Sequence, residues 1–352
     1  MKKRTCLFMA IPTCLILILG ICAYILFAAQ IKAMSTISKL SDDLYYLAYP
    51  GDYGFQAFLE QGGAASAEEV GSYVAEFLSH GFYKYEPIAT TQGCSTISVK
   101  LPDGGYGFGR NFDWKDCTAM IVKTTPKDGY ASFSTSNLNF LGFGDGFAPE
   151  GFANKLLSLA AVYVPLDGKN EKGLCVADLM IEYPEETHQE TGKTALTTTT
   201  AIRLLLDKAA TVDEAIALLE QYDMHSDADM MHHLAISDAT GYSVVVEYIN
   251  NVMYVTETQV VTNFFLTQSD VYGIGSEASK GRFEALSQLY DETSGIMDMD
   301  EIKGGLSSVR QSSWFEENWK TQWSVVYNKT TCEILFYHRE NYQSHYHFKF
   351  EP

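Results

Sequence analysis

Positive charge is scarce in this chain of 352 residues: 25 Lys and Arg stand against 44 Asp and Glu, a formal net charge of −19. So acidic a surface argues against nucleic-acid and anionic-membrane partners. Paired cysteines are missing too. No C-x-x-C occurs among the seven cysteines, which argues against a structural zinc site. Cys6, Cys14 and Cys22 lie in an apolar leader, and Cys94, Cys117, Cys175 and Cys332 are scattered, so the spacing is not that of a disulfide framework. Internal repeats and low-complexity tracts are absent, and no linker follows Cys94. No charged residue stands between Cys6 and Ala29.

That last absence is informative. Lys2, Lys3 and Arg4 form a positive start, and the uncharged run behind them is long enough to span a bilayer. Phe27 spoils an A-x-A cleavage site at Ala28-Ala29, which favours an uncleaved signal-anchor over a cleaved signal. Residues 1–29 are therefore read as a transmembrane signal-anchor, with the rest of the chain outside the cytoplasm, either membrane-anchored or secreted. In SAEEVGSYVAEFLSH, Ser66 and Glu69 fit a capping box, and Val70, Tyr73, Val74, Phe77 and Leu78 form one apolar stripe. Residues 30–93 read as a helical pro-segment or arm.

From Cys94 the period changes to that of strands. Ile97, Val99 and Leu101 alternate with polar residues, PDGG turns the chain, and YGFGRNF returns. AMIVKTT and GLCVADLMI continue as strands. Two helices follow, TTTAIRLLLDKAA and one capped by Thr211 and Glu214. Strands resume at HLAISDATGYSVVVEYI, MYVTET and QVVTNFF. SKGRFEALSQLY is a helix, and WSVVYN, EILFYHRE and HYHFKF close the chain. This order implies an α+β domain over 94–352, two sheets with helices outside.

The stretch GCSTISVKLPDGGYGFGRNFDW carries the chemistry. A two-residue turn at Asp103-Gly104 places Cys94 directly across from Asp113. Arg110 then faces the other way, unless a bulge near Asn111 brings it round, and the glycines nearby make one cheap. A thiol beside Arg110 gains thiolate character. Asp113 opposes that unless it has another cation to hold. Cutting Gly93–Cys94 would supply one: an α-amino group, with an ordinary pKa near ~8, that can act as the base for its own thiol.

These residues resemble the choloylglycine hydrolase family of N-terminal-nucleophile amide hydrolases, and the acyl-CoA:6-aminopenicillanic acid acyltransferase-like proteins beside it. Gly109-Arg110-Asn111-Phe112-Asp113 is similar to the family's G-R-N-x-D motif, at the family's distance from its nucleophilic Cys. EKGLCVADLMI, HLAISDATGYSVVVEY, VVTNFF and GSEASKGRFEAL resemble further family segments, in order, over nearly all of 94–352. The resemblance implies an αββα four-layer sandwich of two mainly antiparallel sheets. It implies a Cys94 nucleophile exposed by cleavage after Gly93, with Arg110 and Asp113 as its polar neighbours. Asn263 is implied as an oxyanion donor and Arg282 as a second active-site arginine. Met180 stands where relatives often carry a polar side chain and would serve through its backbone N–H. Phe264 follows the T-N motif in place of a polar residue. No cofactor is implied.

The implied function is hydrolysis of a linear N-acyl amide through a thioester, with a small-molecule amide as substrate. An acyltransferase on the same site, or a cell-surface binding protein that keeps the fold without catalysis, are the alternatives. Phe140, Phe143 and Phe147 fit an acyl pocket and ordinary core equally well. LGFGDGFAPEG lacks the strand–turn–helix context of a dinucleotide site, and MHSDADMMHH matches no metal spacing through His225, Asp227, Asp229, His232 and His233. No metal is expected.

Overall fold

The computed structural model describes residues 27–79, 93–141, 147–227, 230–312 and 319–350. The expected signal-anchor falls almost wholly outside them. Among the described residues no helix is long and apolar enough to cross a membrane.

Two sheets face one another. The larger has nine strands in the order β1-β2-β5-β6-β7-β8-β11-β12-β13. These are β1 (Ser38–Ser41), β2 (Leu44–Pro50), β5 (Ala119–Thr125), β6 (Ser132–Asn137), β7 (Asp167–Asn170), β8 (Cys175–Ile181), β11 (Met231–Ser237), β12 (Ser243–Ile249) and β13 (Val252–Glu257). The smaller has six, ordered β14-β3-β4-β15-β16-β17. They are β14 (Val260–Val261), β3 (Gly93–Lys100), β4 (Tyr106–Trp114), β15 (Lys320–Asn328), β16 (Glu333–His338) and β17 (Tyr346–Lys349). A short parallel pair, β9 (Thr194–Thr197) and β10 (Tyr222–His225), lies apart. Phe108, Phe112, Val325 and Phe336 from the small sheet meet Ala119, Ile121, Ala177, Leu179 and Val245 from the large one. Pairing is antiparallel in both sheets except between β2 and β5. The antiparallel expectation holds, because hairpins and short returns make most of the connections.

Helices cover both outer faces. On the large sheet lie α1 (Ala28–Met34), α2 (Phe55–Glu60), α3 (Ala67–Ser79), α4 (Gly151–Ser158), α5 (Thr198–Lys208) and α6 (Val212–Leu219). On the small sheet lie α7 (Glu277–Glu292) and α8 (Met299–Ser308), where Leu286, Ile302 and Leu306 bury against Ile97, Val99 and Val326. The four layers expected from the strand and helix order are present. The capping signals also hold: Ser66 Oγ accepts from Glu69 N at 3.2 Å, and Thr211 Oγ1 accepts from Glu214 N at 3.2 Å.

The expectation for residues 30–93 needs correction. They contain α1, α2 and α3, but β1 and β2 join the large sheet, with Leu44–Pro50 paired in register to Ala119–Thr125. LYYLAYP buries alternate side chains, and Leu47, Tyr49, Phe58, Val70 and Leu78 sink into the same core as Leu204, Val246 and Val176. Residues 27–79 are thus part of the domain body. A Tyr-rich seven-residue strand carries a weak alternation signal, and its partner lies over seventy residues away in sequence.

Lys329, just after β15, is only 2% exposed, and its Nζ donates to Ser237 Oγ at 2.7 Å and Ser98 Oγ at 3.2 Å. It ties the two sheets through hydroxyls. Burial pulls its pKa down to about 8. The folded value lies below the unfolded one, so the unfolded chain binds the extra proton and stability rises with pH between about 8 and 10.5. Lys329→Met should flatten that rise, which amounts to roughly 3 kcal/mol, in denaturant melts taken across this range.

Candidate active site

The β3–β4 hairpin positions the thiol. Pro102 suits the first position of a turn, and Asp103 Oδ1 accepts from Gly105 N at 2.9 Å. Gly104 follows at φ 92°, a conformation glycine adopts at little cost. Leu101 N then reaches Gly105 O at 2.8 Å. The loop is therefore one residue longer than the two-residue turn expected from sequence. Register slips accordingly: Gly93 pairs with Asp113, and Cys94 with Phe112.

This slip reverses the expected facing. Directly opposed residues share a face, so Cys94, Phe112, Thr96 and Arg110 point between the sheets. Arg110 reaches Cys94 diagonally, Nη2 to Sγ at 3.5 Å, with no bulge in β4. A bulge does occur, but in β15: Thr321 pairs with Asp113 and Trp323 with Phe112, leaving Gln322 as the extra residue. Asp113 lies on the other face, behind the thiol and beside Gly93. A side-chain carbon on Gly93 would sit 3.6 Å from Asp113 Oδ2.

Asn263 and Arg282 complete the cluster. β14 runs antiparallel to β3, with Val261 opposite Thr96, so Asn263 comes level with Cys94. Its Oδ1 accepts from Cys94 N at 2.7 Å, and its Nδ2 donates to Met180 O at 2.7 Å. Arg282, from α7, donates Nη2 to Asn263 Oδ1 at 2.7 Å and to Cys94 O at 3.3 Å, and Nε to Ser95 Oγ at 3.0 Å. Cys94, Arg110, Asn263, Arg282 and the backbone of Met180 are thus one connected group, with Asp113 behind it against Gly93. All of them are buried.

The aromatic candidates divide. Phe264 packs edge-on against Phe283, centroids 5.2 Å apart, and Phe140 edge-on against Trp114 at 5.1 Å. Both adjoin the core between the sheets, whereas Phe147 belongs to the core under the helices. Phe143 lies outside the described residues, as does Asp229. The histidine-rich run does not converge: His225 meets His188, Nδ1 to Nδ1 at 2.9 Å, while His232 and His233 leave β11 on opposite faces.

Several residues here carry no sequence signal. Asp167 pairs with Arg110 Nε at 3.3 Å, both side chains fully buried, and also accepts from Trp323 Nε1 and Tyr327 OH. The Asp178 carbonyl accepts from Arg110 Nη2 at 2.7 Å, and Thr321 Oγ1 donates to Asp113 Oδ1 at 2.6 Å. Only the packing of one sheet on the other and the pairing of β4 with β15 create these contacts.

The electrostatics are those of a closed site. Burial pushes the Cys94 thiol up to about 12, although Arg110 opposes the rise. Burial likewise raises the Asp113 carboxyl to about 6 against the pull of Arg282, Thr321 and Arg110. Asp113 Oδ2 is buried and has no hydrogen-bond partner among the described residues. A buried carboxylate oxygen left open is costly, and this one lies beside Gly93.

The model of the linear amide C–N hydrolases, choloylglycine hydrolase family, matches residues 94–269. Penicillin V acylase of Pectobacterium atrosepticum is 33% identical over 111 residues, which span 28% of this chain and 29% of the acylase. The match thus covers under a third of that relative's length. Two crystal structures of variants of conjugated bile acid hydrolase from Clostridium perfringens superpose with TM-scores of 0.55 and 0.56. They are 19% and 18% identical, and each superposition covers 73% of this chain and 92% of that one. At such identity they show the fold, the N-terminal-nucleophile hydrolase sandwich. With a family match that begins at Cys94 and runs through Asn263, the chain belongs to the choloylglycine hydrolase family of linear amide C–N hydrolases.

Proposed function

We propose that this protein hydrolyses a linear N-acyl amide through a thioester on Cys94, after the chain has been cut between Gly93 and Cys94. The observation that carries this reading is the open carboxylate oxygen of Asp113 beside Gly93. An amine created at Cys94 would keep Asn263 Oδ1 as one acceptor and gain Asp113 as the second. Its lone pair is then free to take the proton of its own thiol.

The Cys94 amine takes the thiol proton, and the thiolate, with Arg110 as its counter-charge, attacks the amide carbonyl carbon to form a C–S bond. Asn263 Nδ2 has a second N–H beyond the one given to Met180 O. The backbone N–H of Met180 points to the same strand edge as its carbonyl, and these two donors would hold the oxyanion. Collapse breaks the C–N bond, and the Cys94 ammonium protonates the leaving amine. Water, deprotonated by the same amine, then attacks the thioester; the thiol leaves and a carboxylic acid is released.

In the uncut chain the same thiol can attack the Gly93 carbonyl; the C–N bond breaks as the acyl group shifts to sulfur, which frees the Cys94 amine, and water then hydrolyses the thioester, releasing Gly93 as a carboxylate and restoring the thiol. The described part of the N-terminal fragment, residues 27–79, would stay in place after the cut, since β2 remains hydrogen-bonded to β5 and its side chains fill the large-sheet core. The two fragments should co-elute in native gel filtration and separate only in denaturant. We also propose that the uncharged leader tethers the enzyme outside the cytoplasm; a chain truncated before Phe27 should be extracted without detergent.

The reading is tested by acid quench during turnover of an N-acyl amide, followed by peptide mass spectrometry. The acyl mass is expected on the peptide that begins at Cys94. Turnover with the acyl group on another residue would refute the assignment.

A further inference from the structure

The histidine-rich run has a use other than metal binding. His233 is fully buried on β11, as is its partner Glu247 on β12. His233 Nδ1 lies 3.0 Å from Glu247 Oε1, and His233 Nε2 lies 2.8 Å from the Thr262 carbonyl. A carbonyl only accepts, so Nε2 is a donor. Glu247 Oε1 also accepts from Leu266 N at 2.9 Å, and Oε2 from Thr267 N at 2.7 Å. The carboxylate is therefore the acceptor of the Nδ1 hydrogen bond. Burial raises the Glu247 carboxyl, but the hydrogen bond and charge of His233 outweigh it and hold the group below the ordinary range.

These contacts bracket a short segment. Thr262 O is fixed at one end, and Leu266 N and Thr267 N at the other. Between them lie Asn263, whose side chain meets Cys94 N and Met180 O, and Phe264, which packs on Phe283. β14 ends at Val261, and beyond it the segment pairs with the 273–275 turn, Phe265 N donating to Ile274 O at 3.0 Å and Gly273 N to Phe265 O at 2.9 Å. From beneath, it is held at both ends by the buried His233–Glu247 pair.

We propose that His233 and Glu247 are positioning residues that hold the 262–267 segment so that Asn263 meets the reacting carbonyl. The proposal rests on the reading of Asn263 as an oxyanion donor. Neither residue touches the reacting atoms; both act through the backbone on either side of Asn263. A displacement of the Asn263 amide by about 1 Å would cost on the order of 100-fold in turnover. Substrate binding through the acyl chain would be little affected.

The test uses the cut, purified protein with a chromogenic N-acyl anilide, comparing His233→Gln and Glu247→Gln alone and each combined with Asn263→Ala. Each single variant should lower kcat by about 10- to 100-fold, with KM within about twofold of the wild type. In the Asn263→Ala background neither should cause further loss, because both act through that one side chain. Losses that multiply with that of Asn263→Ala, or a change confined to KM, would overturn the proposal. Full kcat in Asn263→Ala alone would instead remove the oxyanion reading on which it stands. Hydrogen exchange of the wild-type chain needs no variant: the Leu266 and Thr267 amides should exchange as slowly as those of β12, and exchange at loop rates would overturn the staple directly.

Discussion

A Cys94→Ala chain should remain a single uncut polypeptide and show amide hydrolysis reduced by roughly 10⁴-fold or more, the scale on which loss of a covalent nucleophile acts. Two effects are expected from one substitution, because the thiol is proposed to perform both steps. Denaturing electrophoresis would show one band in place of fragments 1–93 and 94–352. The fold itself should persist. Cys94 is buried among Phe112, Val261 and other apolar side chains, so Ala there removes one sulfur and costs stability only modestly. Cys94→Ser should be cut slowly and hydrolyse poorly, since a hydroxyl is far harder to deprotonate than a thiol at the same place. A cut and fully active Ala variant would defeat the mechanism.

Asp113→Asn should have effects of opposite sign on activity and on the stability of the uncut chain. In the cut enzyme the substitution would remove the charge proposed to orient the Cys94 amine, and turnover should fall by roughly 10²- to 10⁴-fold. In the uncut Cys94→Ala background it should stabilise. Burial raises the Asp113 carboxyl to about 6 from its ordinary 3.8. The folded chain therefore binds the proton more tightly than the unfolded one. The neutral form's contribution is fully present below about 3.8 and is lost as pH rises through about 6, a decline of about 3 kcal/mol. Asn cannot ionise, so the Asp113→Asn chain should melt higher than its parent at pH 8, with the gap closing by pH 4. Equal melting differences at both pH values would show that the carboxylate is not strained in the uncut chain. A buried charge that the proposed cut would pair with an ammonium would give the precursor a thermodynamic reason to mature.

The same residues show how far the sequence could be read. The hairpin after Cys94 was visible from PDGG and from alternation on either side, but its register was not. Whether Pro102 lies inside the loop decides between two- and three-residue turns, and that single residue moves Asp113 to the opposite face from the thiol. Arg110 turned out to need no bulge, for the same reason. Asn263 and Arg282 carry no local signal of catalysis; only resemblance pointed to them, and the structure brings both to Cys94. Asp167, Asp178 and Thr321 were beyond sequence reasoning, because they meet Arg110 and Asp113 across sheets and strands far apart in the chain. β1 and β2 were hidden differently. They follow an apolar leader and precede a well-capped helix, so a helical arm was the simplest continuation, whereas tertiary pairing with β5 decided their state. His232 and His233 stood out as a cluster, yet consecutive strand positions send their side chains to opposite faces.

One measurement bears on the central claim more directly than any kinetic series: N-terminal sequencing and intact mass of the purified, active protein. The expected result is a new N-terminus at Cys94, with fragment 94–352 accompanied by the piece that ends at Gly93. An active protein whose chain is still continuous across Gly93–Cys94 would contradict it, because no amine would then exist for Asp113 to hold or for the thiol to use.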